Sequence, residues 1–208
     1  MFRQRLRLWF HVGGDKRFLS HHDTMRLWER ALRRAKLPLR MSEGFNPRPR
    51  MSLVEPRSVG IASEAELLEF ELADWVSPDV ALESLRRQVP CGIEVYSLDL
   101  VRPADKARPQ AVVYVARLQG PCPDLSDRVA RLLARTEAPI VRHRPTGDKA
   151  LDGRAFIRTI EAGPAEVRMT LATGPFGTVR PDEVLRLLGF SQEEIARAAI
   201  RRTEIRLG

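Results

Sequence analysis

The chain has 208 residues, 43% hydrophobic and 30% charged, which fits one large or two small soluble domains with a real core. No apolar run approaches the ~18 residues that cross a bilayer, and the first ten residues lack the apolar stretch of a secretion signal. The net charge of +8 is unevenly placed: residues 1–56 hold 13 of the 35 Lys and Arg but 5 of the 27 acids, and the remainder cancels. A field so localised points to a polyanionic partner.

Residues 5–12 (RLRLWFHV) alternate as a strand, with Leu6, Leu8 and Phe10 on one face and Arg5, Arg7 and Trp9 on the other. Gly13-Gly14-Asp15 breaks it. Residues 20–36 then predict an amphipathic helix capped by Ser20, with Asp23 in its first turn. At 100° per residue, Met25, Trp28, Ala31, Leu32 and Ala35 share one face, while Arg26, Arg30, Arg33 and Arg34 take the opposite one. Leu37-Pro38 ends the helix.

The stretch 42–56, SEGFNPRPRMSLVEP, is too broken for a helix and too stiff for a flexible linker. Each residue before a proline is pushed to extended geometry, so Arg48 and Arg50 lie on a stiff track. Gly44 permits a positive φ, and Phe45 either anchors the loop or stacks on a ligand. Stiffness lowers the entropy lost on binding, which makes this a recognition loop rather than a connector. A strand at 51–54, a turn at Gly60, a strand at 66–74, a helix from Ser77-Pro78 to about 88 and a strand at 93–101 complete a βαββαβ order.

Residues 102–110 (RPADKARPQ) read as a linker. The order then repeats: a strand at 111–119, a helix at 124–136, an extended insert at 140–143, and a hairpin over 155–173 turning at Gly163-Pro164. A helix over 180–189, with Pro181 near its start and Gly189 past its end, precedes a last strand at 199–207. The fold class expected is α+β, two tandem ferredoxin-like (βαββαβ) domains over 1–101 and 111–208. Aromatic residues are 6% of the chain and no strand shows the aromatic RNA-binding pattern, so RNA recognition would have to be more electrostatic than in that class.

No GxGxxG, Walker loop, CxxC, HExxH or GxSxG motif is present, and Cys91 and Cys122 stand apart with no metal spacing. The expectation is a cytoplasmic protein with reduced thiols, no metal, no cofactor and no membrane partner. In His21-His22-Asp23, either histidine is a candidate general acid or base for RNA cleavage, or a phosphate contact at the helix start. The simpler reading has Asp23 capping and His21 or His22 packing against the preceding strand; adjacent helical residues point about 100° apart, so the two histidines do not easily share one substrate atom. Arg26, Arg30, Arg33 and Arg34 can track a nucleic-acid backbone or simply be solvated. The acid pairs Glu64/Glu66 and Glu193/Glu194 read as solvent-facing.

Residues 18–53, FLSHHDTMRLWERALRRAKLPLRMSEGFNPRPRMSL, resemble the hallmark segment of the radical SAM-linked proteins, a domain of unknown function found fused to, or encoded apart from, a radical SAM enzyme with a B12-binding-type domain. The family's SxGFNPxP stands at 42–49, FLSHxD at 18–23, RALRRAxLP at 30–38 and VGxxSExE at 59–66. The resemblance is strong over residues 3–75 and weaker beyond. It implies an accessory to a separate radical SAM enzyme and supplies no reaction.

Three readings follow. The first is a non-catalytic RNA-binding accessory in rRNA or tRNA modification or maturation. Arg26, Arg30, Arg33, Arg34, Arg48 and Arg50 would hold phosphates, and Phe45 and Asn46 would meet a base or order the loop. Six phosphate contacts predict a log–log salt slope of about −4 to −5. The second is a metal-independent endoribonuclease, by analogy with CRISPR RNA-processing enzymes of tandem ferredoxin-like build, whose glycine-rich loop is poorly matched by Gly174-Pro175-Phe176-Gly177. The third is a scaffold that docks the GFNPRP loop on the radical enzyme.

Overall fold

Alternation of apolar and polar side chains produces the first strand, β1 (Gln4–Val12), in a computed structural model that describes residues 4–143, 145, 147–174 and 177–208. The fold is α+β. Two compact units are present, residues 1–108 with Gly208, and residues 109–207.

In the first unit β1 is followed by α1 (His21–Arg34), β2 (Met51–Val54), β3 (Ala62–Leu72), α2 (Pro78–Arg86) and β4 (Ile93–Val101). The strands pair antiparallel in the order β2-β3-β1-β4. Register places Leu8 opposite Leu68 on one side and Leu98 on the other, which stacks apolar side chains on a single face. Leu6, Leu8 and Phe10 share a core with Trp28, Ala31 and Leu32 of α1 and with Ala81 and Leu85 of α2. Both helices therefore cover the same face of the sheet. Trp28 is fully buried and meets Phe10 edge-on, ring centroids 4.6 Å apart.

Ser20 caps α1 as its spacing predicts: its hydroxyl oxygen accepts from the Asp23 N–H at 3.1 Å. The buried face is wider than expected, since Thr24 and Leu27 join Trp28, Ala31 and Leu32. The helix ends before Leu37-Pro38, because Lys36 takes a left-handed φ of 54° after Ala35. β3 also begins four residues earlier than the apolar pattern suggests.

The second unit runs β5 (Pro109–Arg117), α3 (Leu125–Leu133), β6 (Pro139–Arg142), β7 (Lys149–Asp152), β8 (Ile157–Ala162), β9 (Glu166–Gly174), β10 (Gly177–Thr178), α4 (Pro181–Leu187), α5 (Gln192–Arg197) and β11 (Ala199–Leu207). Its antiparallel order is β8-β9-β5-β11, with β10 on the end of β9. The insert is a separate two-stranded ribbon, β6 with β7. Arg142 ties that ribbon to α4 by two bonds to Glu183, at 2.6 and 2.7 Å. The α5 helix, absent from the sequence reading, starts on a capping box between Ser191 and Glu194. Pro175 and Phe176 lie outside the described residues.

Two expectations about charge are overturned. Glu66 is not solvent-facing: it is 1% exposed, with an Arg57 guanidinium nitrogen 3.9 Å away. The excess of cations before residue 57 is also partly cancelled in space. Arg5 and Arg40 both bind Glu71, at 2.6 and 3.0 Å, and Arg7 binds Glu69 at 2.8 Å. A carboxylate in a strand interior is tolerated only when paired, and here the partners are the arginines of β1 and of the segment after α1. Among the described residues no helix is long and apolar enough to cross a membrane.

Candidate nucleic-acid interface

The solvent side of α1 presents Arg26, Arg30 and Arg33, one after another along the helix, around a shallow depression that Glu29 shares. Arg33 donates to Glu29 at 2.9 Å, and Arg26 stands 3.9 Å from Asp23. Such exposed pairs contribute little to stability and leave donors for an incoming anion. Arg34 is held differently. Its Nε and Nη2 bind the side chain and carbonyl oxygen of Gln88, at 3.2 and 2.6 Å, so it joins the end of α1 to the residues after α2.

The proline-containing segment folds as a hairpin-like loop. Met41 bridges Pro49, Ser42 N–H donates to the Arg48 carbonyl at 2.7 Å, and Arg48 N–H donates to the Ser42 hydroxyl at 3.0 Å. Below this rung, Arg50 N–H bonds the Arg40 carbonyl, Arg40 N–H bonds the Glu71 carbonyl, and Glu71 N–H bonds the Arg50 carbonyl. Both stems are thus fixed to the end of β3. Pro49 is buried at the base, and Gly44 takes the positive φ, 120°, that its position suggested.

At the tip Phe45 is fully exposed, with Asn46 and Arg48 exposed beside it. Phe45 does not anchor the loop; Pro49 and the stem bonds do. Arg50 is not a tip residue. It is half-buried in the stem, its Nη2 3.8 Å from Glu43. Of the eight residues proposed to meet RNA, Arg26, Arg30 and Arg33 form one exposed group and Phe45, Asn46 and Arg48 another, while Arg34, also exposed, is bonded to Gln88 and Arg50 is half-buried in the loop stem.

His21 and His22 are both exposed in the first turn of α1, their rings 5.6 Å apart. Neither has a hydrogen-bond partner among the described residues, and Asp23 is occupied with the Ser20 cap. Among the described residues no group of three or more His, Cys, Asp or Glu is placed to hold a metal ion. Both cysteines are free thiols.

A family model for an uncharacterized protein conserved in bacteria, DUF2344, matches residues 5–181. The chain belongs to this family. The DUF2344 match takes in β1, α1, the hairpin-like loop and both units as far as the first residue of α4. Its description names no activity and no radical SAM partner. No curated protein matches the chain.

Proposed function

We propose that this DUF2344 protein is a non-catalytic RNA-binding accessory, built on two ferredoxin-like units, that serves a separate radical SAM enzyme in rRNA or tRNA modification. The observation that carries the RNA reading is Phe45, an aromatic ring fully exposed on a loop whose stems are fixed by backbone bonds to β3. A preformed loop loses little entropy on binding, and a ring held clear of the protein is a platform for a base. Arg48 beside it, and Arg26, Arg30 and Arg33 on the same unit, supply phosphate contacts. The ferredoxin-like reading is supported by the strand order β2-β3-β1-β4 with two helices on one face and by the corresponding order β8-β9-β5-β11. The radical SAM partner rests on the motif resemblance alone.

Binding of bulk tRNA, followed against salt, tests this. Arg26, Arg30, Arg33 and Arg48, exposed and outside the Gln88 and stem contacts, predict a log–log slope of about −3 to −4. Phe45→Ala removes one stacked base, about 1–3 kcal/mol of affinity, and leaves urea stability unchanged. No binding at low salt, or binding indifferent to both Phe45→Ala and Arg48→Ala, sinks the reading. The same exposed ring suits a protein pocket. A complex with the radical enzyme that survives nuclease and is lost in Phe45→Ala makes the loop a docking element instead. Metal-free cleavage of the tRNA, abolished by His21→Ala or His22→Ala, makes the protein an enzyme.

A further inference from the structure

A second feature lies away from the loop tip, on the face of the first unit's sheet opposite the helices. Odd-numbered β1 residues point there, and Arg5, Arg50, Ser52, Glu69, Glu71 and Lys106 line a cleft of about 280 Å³. A water takes up about 30 Å³ of liquid, so the space admits a polyatomic group. The chemistry of its wall is unbalanced. Arg5 is 5% exposed, and its Nη2 is committed to Glu71 at 2.6 Å. Its Nη1 is buried with no partner among the described residues, and the Nε of Arg50 is in the same condition. Lys106 has no ion-pair partner among them either.

The acids in the wall do not make up this deficit, because they are already engaged. Glu71 receives Arg5 on one oxygen and Arg40 on the other. One oxygen of Glu69 accepts from Nε and Nη2 of Arg7, at 3.1 and 2.8 Å, and from the Ala107 N–H at 2.9 Å. Five cations, Arg5, Arg7, Arg40, Arg50 and Lys106, are thus set against three carboxylates, Glu69, Glu71 and the exposed Glu43 that stands 3.8 Å from Arg50. Buried guanidinium N–H groups are satisfied in folded proteins by an acceptor. A tetrahedral oxyanion offers several acceptors at once and matches the arginine fork.

We propose that this cleft is a phosphate-binding site, with Arg5 and Arg50 as donors from its wall, Lys106 at its rim and the Ser52 hydroxyl as a fourth donor. A free phosphate or small phosphate monoester and the terminal phosphate of an RNA strand present the same group. The site does not depend on the RNA reading above.

Isothermal titration of the full chain with inorganic phosphate, at ionic strength held constant with chloride, should show one saturable site. Arg50→Gln combined with Lys106→Ala should weaken it at least tenfold with the fold intact by circular dichroism. Arg5→Lys is a second variant if that pair disturbs the loop stem. Phe45→Ala should leave phosphate binding unchanged, which separates failure of this site from failure of the loop as an RNA platform. Comparing one oligoribonucleotide with a 5′-phosphate and with a 5′-hydroxyl identifies the source. A tenfold preference for the phosphate that vanishes in the Arg50/Lys106 variant assigns the site to an RNA end. Saturable phosphate binding without that preference assigns it to a small phosphate ligand. No saturable phosphate binding together with no 5′-phosphate preference, or affinities equal in wild type and both variants, overturns the proposal.

Discussion

Arg142→Ala strands a carboxylate. Glu183 is 3% exposed, and without Arg142 its remaining donor among the described residues is the Arg180 N–H at 2.8 Å. Removing one partner of a buried ion pair costs about 3–5 kcal/mol. The Arg142 side chain keeps 15% of its exposure and the backbone donor survives, which puts the expected loss near the low end, about 3 kcal/mol. The pH dependence follows from the same geometry. Burial pushes the Glu183 carboxyl up, but the bonds from Arg142 and from the Arg180 N–H outweigh it and hold the group below its ordinary value. In the wild type that depressed folded value means stability present above the unfolded carboxylate pKa of about 4.3 and lost as pH falls through the folded one. In the variant burial acts unopposed by Arg142, so the carboxyl takes up a proton at higher pH and escapes its unpaired charge. The gap between the two proteins is therefore widest at neutral pH and narrows toward about pH 4.5. Urea unfolding followed by far-UV circular dichroism at both pH values measures it. Tryptophan fluorescence is a separate report on the first unit, which holds Trp9, Trp28 and Trp75. A gap under about 1 kcal/mol at pH 7, or one that does not change with pH, refutes the reasoning.

Two further outcomes concern the first unit. Trp28→Ala empties a fully buried site against Phe10 and should cost about 3–5 kcal/mol in urea unfolding; a loss under 1 kcal/mol would mean the core collapses around the gap. Gly92→Ala places a Cβ 2.8 Å from Cγ of Lys16 and 3.0 Å from the Gly13 carbonyl oxygen, at a φ of +89°. It should destabilise by about 1–3 kcal/mol, and an unchanged midpoint contradicts the strain argument.

Where one face of an element is continuously apolar, the sequence was enough to place it. β4 was expected at residues 93–101 and runs Ile93–Val101, and the Ser20 cap of α1 was readable from one hydroxyl and one acid. The acidic strand was harder. ELLEFEL in β3 buries Glu66, Glu69 and Glu71 as well as its leucines, and no periodicity marks those acids as inside, since the arginines on Glu69 and Glu71 lie tens of residues away and Arg57 near Glu66 sits in the preceding turn. α5 has six residues, too few to show a helical period, although the Ser191–Glu194 spacing was a visible start signal. β7 carries no alternation and owes its form to pairing with β6. At the candidate site, proline and glycine spacing revealed the stiffness of the loop. That Arg34 bonds Gln88 and that Arg50 sits in the loop stem rather than at its tip depended on contacts that spacing does not encode.

The bonds at the base of the loop also set an order of events. Arg40 and Arg50 each bond the backbone of Glu71, and Ala73 N–H reaches back to the Pro38 carbonyl. These rungs join parts of the chain more than twenty residues apart, so closing them carries a loop-entropy cost before any contact repays it. The stems pair locally through Ser42 with Arg48 and Arg40 with Arg50, but they are not held to the sheet until the end of β3 is in place, whereas α1 needs only its own turns and cap. The tip that carries Phe45 is thus fixed in place only once the strand that supports it has paired. A nascent or damaged chain would expose the arginines of α1 before it could offer the aromatic ring, so charge alone governs its earliest encounters and selectivity arrives with the completed sheet.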